Sequence, residues 1–257
     1  LSTARFDQNF NSQPNYVAKI GQPMGMIYGY IYEGTYKYDD FDKSGSSYTL
    51  KGNIPHYVSE SNTQPGMPKY KDLNGDGIID TNDRTMIGRG LPIHTGGFTN
   101  NFEYKGFDLS VFFQWSYGND VLNANRLFFD SGFQKKRELN QYASYTDRWT
   151  PENPNSNIPA ATNSSSNLVI SSRVVEDASF LRLKTVTLGY TVPKTFLKKY
   201  KIDNARLYVA AQNLWTITGY SGYDPEVSIR SGGLTPGLDF SSYPRALSVS
   251  FGINLGF

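Results

Sequence analysis

Cysteine is absent from the 257 residues, which excludes a disulfide framework and thiol chemistry. Histidine is nearly absent. His56 and His94 are the only two, and their separation fits neither a zinc site nor an H-E-x-x-H helix. No apolar run is long enough for a spanning helix, although that test is blind to spanning β-strands, which alternate. Neither charge sign prevails: 25 Lys and Arg against 23 Asp and Glu leave +2, with no basic stripe, so no nucleic acid partner is expected. The small cluster "KTFLKKYK" reads as a solvated turn. Neither a G-x-S-x-G elbow nor a phosphate-binding G-x-x-x-x-G-K-[ST] occurs. Glu176 and Asp177 are adjacent and would point to opposite faces of a strand, which suits loop solvation better than an acid/base pair. Trp149, Tyr142 and Tyr145 could stack on sugar, but packing within a loop is the commoner use. The chain is therefore read as not an enzyme. Its start, "LSTARFDQNFNSQP", has no basic or apolar leader region and no Met. Either a leader has been removed or the chain begins partway along a longer one.

What the sequence has is aromatic residues, 15% of the total, set in long alternating strands. In "KGFDLSVFFQWSYGND" the residues Phe107, Leu109, Val111, Phe113, Trp115 and Tyr117 share one face. Asp108, Ser110, Gln114 and Ser116 share the other, with Phe112 the exception. Phe98, Asn100, Phe102 and Tyr104 alternate just before, and Lys105-Gly106 makes a hairpin turn between the two segments. "SFLRLKTVTLGYTV" alternates as well, but its phase slips by one residue near Lys184–Thr185, as a β-bulge would require. "ARLYVAAQNLWTITG" and "YPRALSVSFGINLGF" complete five strands. Helical signals are confined to 123–149 and 194–200.

Strands of more than ten alternating residues exceed the usual five or six of soluble sheets. Aromatics sit near strand ends (Trp115, Tyr117, Tyr190, Trp215, Tyr220, Tyr243), as in interfacial girdles. Short and long connections alternate. These features predict an all-β, antiparallel transmembrane β-barrel in a bacterial outer membrane, with one face of each strand toward lipid. The polar face would line the lumen, with Asp108, Ser110, Gln114, Ser116, Ser248, Ser250 and Asn254 as candidates. The closing residues Val249, Phe251, Ile253, Leu255 and Phe257 form an aliphatic and aromatic stripe of the kind that serves as an assembly signal. The alternative is a soluble, calcium-bound β-domain that binds glycans or surfaces.

One loop carries chemistry. "DLNGDGIIDTND" (72–83) follows the EF-hand spacing. Asp72, Asn74 and Asp76 stand at positions one, three and five, and Gly77 makes the sharp turn. Ile78 offers its carbonyl, and Asp80 and Asp83 occupy positions nine and twelve. An all-oxygen set of this kind suits Ca²⁺, here as a structural ion that orders a long loop.

Several stretches together resemble SusC/RagA-type TonB-dependent outer-membrane transporters of Bacteroidetes. They include "GQPMGMIYGYIYEG", "YKDLNGDGIIDTNDRTMIGRGLP", "NNFEYKGFDLSVFFQWSYGND", "RWTPENPN", "SSRVVEDASFLRLKTVTLGYTVP", "RLYVAAQNLWTITGYSGYDPEVS" and "DFSSYPRALSVSFGINLGF". The resemblance implies the C-terminal strands of a barrel of about 22 strands, with a plug and TonB box in the remainder of the same transporter. It also implies a SusD-like surface lipoprotein as lid, the TonB system as energy source, and oligosaccharides or peptides as cargo. Residues 1–36 would be an extended entry segment that could supply a barrel strand near 16–32. Residues 37–92 would be an extracellular loop holding the calcium site. Residues 93–257 would hold the last barrel strands, with long outer loops at 119–178 and 220–242.

Overall fold

The structure, a computed structural model, describes residues 3–7, 14–132, 140–162, 168–229 and 232–257. They divide into two compact units. One gathers 1–91, 120–176 and 227–242; the other gathers 92–119, 177–226 and 243–257.

The first unit is built from short strands. β1 (Thr3–Asp7), β2 (Pro14–Lys19), β3 (Met26–Gly29) and β8 (Thr85–Arg89) form one sheet in the order β1-β2-β3-β8. β4 (Tyr32–Thr35) pairs with β7 (Pro68–Tyr70), and β5 (Phe41–Ser44) with β6 (Ser47–Leu50). β11 (Asp120–Asn123) lies between β12 (Val175–Asp177) and β15 (Leu238–Asp239). Helix α1 (Ala124–Phe129) follows β11 directly.

A core of Tyr16, Ile27, Leu122, Ala124, Leu127, Ile170, Val174 and Leu238 draws side chains from all three stretches of chain. Two smaller clusters are tyrosine-rich: Tyr30, Tyr70, Ile79 and Val169, and Tyr36, Phe41 and Leu50. Two of the buried tyrosines have bonded hydroxyls. Tyr16 donates to the Pro236 carbonyl at 2.9 Å and Tyr36 to the Pro55 carbonyl at 2.7 Å.

This unit gathers most of the stretches that lie outside the long strands. The segment near 16–32 supplies no strand to the long sheet; it pairs with β8 and buries Tyr16 and Ile27. Most of the stretches expected as long outer loops at 37–92, 119–178 and 220–242 contribute to one folded body with its own core. Their strands run only two to six residues, too short to display a period, and the partners of several, such as β3 with β8 and β11 with β15, lie far away in sequence.

The second unit is a five-stranded antiparallel sheet ordered β16-β14-β13-β10-β9. Its strands are β9 (His94–Tyr104), β10 (Phe107–Tyr117), β13 (Phe180–Thr191), β14 (Asn204–Thr218) and β16 (Ser248–Gly256). All five expected strands are present, the last starting at Ser248 rather than Tyr243. The hairpin turn has positive φ at both Lys105 (48°) and Gly106 (87°), the backbone hand that a two-residue turn between twisted strands requires. The expected slip is real: pairing with both neighbours shifts around Lys184. The helical signal at 194–200 becomes α2 (Lys194–Leu197) followed by a 3-10 turn. The signal at 123–149 becomes α1 and a 3-10 turn at Ala143–Asp147, with 133–139 outside the described residues.

Candidate functional site

Strand register sorts the side chains of the long sheet into two faces. On one face, cross-strand rows read Tyr104, Phe107, Tyr190, Leu207, Ile253; then Phe102, Leu109, Leu188, Val209, Phe251; then Asn100, Val111, Val186, Ala211, Val249. Further along lie Phe98, Phe113, Leu183 and Trp215. Among the described residues nothing covers the ends of these rows: Phe251 is 83% exposed and Ile253 63%. The Val249, Phe251, Ile253 and Leu255 stripe lies wholly on this face of β16, and Phe257 follows the strand exposed. Of the aromatics expected as a girdle, Trp215, Tyr117 and Tyr243 are exposed, but Tyr220 is buried.

The opposite face is polar, and all seven lumen candidates fall on it by register. Asp108 takes a bidentate ion pair from Arg206, with Nε to Oδ1 at 3.0 Å. Gly189 lies opposite Asp108, and a Cβ there would collide with both partners. Ser110 and Ser250 share a row with Asn101, Thr187 and Ala210. Ser248 faces Gln212 and Asn254 faces Arg206. Ser116 donates to Asn119 Oδ1 at 2.6 Å. Near the Lys105 turn, Asp108, Ser110 and Arg206 border an open hollow of about 540 Å³.

The strongest charge cluster on this face centres on Arg182, which lies opposite Gln114. Its guanidinium reaches Asp224 at 2.6 Å, Glu226 at 2.7 Å and the Thr216 hydroxyl at 2.9 Å. Glu226 also accepts from Gln114 at 3.3 Å and from Arg245 at 3.3 Å. Burial pushes the Asp224 carboxyl up. The N–H groups of Glu226 and Arg245 and the Arg182 guanidinium outweigh it and hold Asp224 below the usual carboxylate range. This cluster ties the segment 220–226 to the sheet. Sequence reasoning missed Arg182, Arg206, Asp224 and Glu226. A signal existed: Arg182 and Arg206 stand at polar-face positions between apolar neighbours, where a charge needs a partner.

In the first unit, the 72–83 loop is folded around its own carboxylates. Asp72 accepts from the N–H of Gly75 at 2.6 Å and of Gly77 at 2.8 Å, and these bonds, led by Gly77, hold its carboxyl below the usual range. Asn74 accepts from Asp76 N–H, Asp76 from Ile78 N–H, and Asp80 from Asn82 N–H. Asp83, fully buried, accepts from Leu73 and Asp80 N–H at 2.8 Å each and so fastens the two ends together. Gly75 and Gly77 take φ of 78° and 83°, which only glycine adopts without strain. Ile79 is buried, and its N–H bonds the His56 carbonyl at 2.9 Å. The donors are all oxygens, each with a lone pair left after its N–H bond, which is the chemistry a hard cation takes. Among the described residues, no three acidic or histidine side chains already converge at metal-binding separation.

The residues that might have suggested catalysis have structural partners. Glu176 accepts from Asn123 and Arg126, and Asp177 from Ser179. His94 accepts from the Trp115 indole N–H at 3.1 Å. Trp149 packs against Tyr38, Tyr142 against Phe129, and the Arg148 guanidinium sits over Tyr145.

No family model matches the chain. Individual relatives do. A TonB-dependent receptor of Formosa agariphila, P3, is 35% identical over 254 residues, 97% of this chain and 24% of that protein. The TonB-dependent receptor SusC of Bacteroides thetaiotaomicron is 28% identical over 78% of this chain and 18% of its own length. Among solved structures, a RagAB peptide transporter matches all of this chain with a TM-score of 0.70 at 25% identity, over 24% of the matched chain.

This chain is a segment of a SusC/RagA-type TonB-dependent receptor. It spans about a quarter of the length of the relatives it matches. TonB-dependent receptors of this type reside in the outer membrane, a setting in which a bare apolar sheet face suits lipid and a polar face suits a lumen. The relatives are named as receptors and transporters, not as enzymes.

Proposed function

We propose that the protein containing this segment imports oligosaccharides or peptides across the outer membrane, powered through TonB, with a SusD-like lipoprotein as its lid. The observation that carries this reading is the two-faced sheet, apolar and bare on one side, ion-paired and hydroxyl-rich on the other. β9 and β16 are its edges, and open edges in lipid would leave backbone groups without partners. The strands that pair with these edges would come from the rest of the transporter. The test is uptake of labelled oligosaccharides and labelled peptides by cells with and without the full-length gene and with and without TonB. One cargo class should be lost in both deletions, and a lipoprotein should co-purify with the full-length protein in detergent. Uptake indifferent to both deletions would refute the reading. A soluble calcium-bound β-domain gains no support from these relatives, and its exposed rows of Phe, Leu and Val would aggregate in water.

We further propose that Asp72, Asn74, Asp76, Asp80 and Asp83, with the Ile78 carbonyl, hold a structural Ca²⁺. When bound, the ion would offset the mutual repulsion of four carboxylates within twelve residues. Calorimetric titration of Ca²⁺ into the full-length protein and into its Asp76→Ala variant should show binding that the variant loses. Equal heats from both would remove the proposal.

A further inference from the structure

One end of the long sheet carries a concentration of lysine and aromatic side chains. The Lys105-Gly106 turn, the connection 192–203 and residue 256 lie together there. Thr191 N–H bonds the Gly106 carbonyl at 2.7 Å, Val192 N–H the Ala205 carbonyl at 2.9 Å, and Asp203 N–H the Gly256 carbonyl at 2.8 Å. Lys105, Lys194, Lys198, Lys199 and Lys201 are exposed, and none makes an ion pair among the described residues. The acid within the connection is Asp203 alone, and Asp108, on the polar face, is already held by Arg206.

The order of chemistry along the strands matters. Moving toward this end, the lipid face runs from Val111 through Leu109 to Phe107 and Tyr190. Beyond them come Phe196, Tyr200 and Phe257, 70%, 68% and 85% exposed, and among them the lysines. A sequence of aliphatic, aromatic, then cationic side chains matches the succession of hydrocarbon, interface and headgroup phosphate in one leaflet. Long lysine side chains can lay their stems on apolar surface and lift the ammonium to the phosphates. Helix α2 assists: Leu197 is buried beneath it while Phe196 and Lys198 stay outside.

We infer that this end of the sheet binds the headgroups of anionic phospholipids, with Lys194, Lys198, Lys199 and Lys201 as the recognising cations and Lys105 at its border. The inference rests on the outer-membrane barrel reading. It commits to lipid over a protein partner because the patch continues the lipid face without a break.

The test uses the full-length transporter reconstituted into vesicles of equimolar phosphatidylcholine and phosphatidylglycerol, then extracted gently for native mass spectrometry of retained lipid. Each basic residue near an anionic surface contributes about fivefold in lipid preference. Retained phosphatidylglycerol should therefore exceed phosphatidylcholine by about fivefold or more. A variant with Lys194, Lys198, Lys199 and Lys201 changed to Gln should lose most of that excess, and the matching Arg variant should keep it. Heat-modifiable gel migration of every sample reports barrel assembly separately. An assembled barrel without phosphatidylglycerol preference, or with the same preference in the Gln variant, overturns this inference alone. A native protein that never assembles refutes the barrel reading instead. Loss of a co-purifying protein in the Gln variant with lipid preference unchanged would assign the patch to a protein and also overturn the proposal.

Discussion

Replacing Val111 with Arg should cost far more than replacing its neighbour Ser110 with Arg. The two are adjacent in β10 but lie in different rows. Val111 shares the lipid-facing row of Val186, Ala211 and Val249, while Ser110 shares the inward row of Thr187, Ala210 and Ser250. Val111 is four residues from Phe107 and six from Tyr117, the aromatic ends of the strand. At about 3.4 Å per residue and a tilt of about 40°, those intervals rise about 10 Å and about 16 Å. Their sum matches an apolar band of about 25 Å, so Val111 sits close to its middle. Arg at that depth costs about 2–4 kcal/mol, or about 30- to 700-fold in the folding equilibrium. Arg at Ser110 meets hydroxyls and water and should cost less than about 1 kcal/mol. Urea unfolding of the two full-length variants in lipid vesicles, followed by heat-modifiable migration, measures both. Equal losses, or a greater loss at Ser110, would show that the faces have been assigned the wrong way round.

Changing Arg182 to Met should leave Asp224 and Glu226 without their main cation and cost about 3 kcal/mol. Limited proteolysis should then find new cuts at 220–226, and unchanged resistance would mean that the cluster does not hold that segment. The Asp224 carboxyl titrates below its ordinary value of 3.8 when folded, so its stabilising effect is complete above about pH 4 and fades as pH falls through the depressed value. The stability gap between the native protein and Asp224→Asn should therefore be open at pH 7 and narrow toward pH 2.5; a gap independent of pH would contradict this. Gly189→Ala should part the Asp108–Arg206 pair at a cost of about 1 kcal/mol, because the pair is partly hydrated. Adding Asp108→Asn to that variant should then cost little more, a coupling that a double-mutant cycle reads directly.

The long sheet was legible because its strands are long. Eleven residues of β10 give five full alternations, enough for the two faces and the Phe112 exception to stand out. The bulge was legible for the same reason, as a break in a sustained phase. The charge cluster was not, since Asp224 and Glu226 lie in a loop and only the fold brings them to Arg182. The first unit was legible least of all. Its core residue Leu238 belongs to a two-residue strand, and Tyr16 finds its hydroxyl partner 220 residues away. The stretch "GMIYGYIYEG" was expected to supply a strand near 16–32, but nothing in it announced that Tyr30 would be buried in a small tyrosine cluster with Tyr70.

The late arrival of Leu238 sets a clock on assembly. The first unit cannot close until a piece supplied between β14 and β16 is in place, because Gly237 carries the carbonyl that pairs with Leu122 and Leu238 fills the core beside it. Synthesis delivers that piece after four of the five long strands and only nine residues before β16 begins. Loop closures this long are slow, and the partly made unit would show its tyrosines and aliphatics to the periplasm throughout. The last core residue of the first unit and the last strand of the long sheet thus arrive within a few residues of each other. A chain stalled even slightly early would present chaperones and proteases with two unfinished bodies at once.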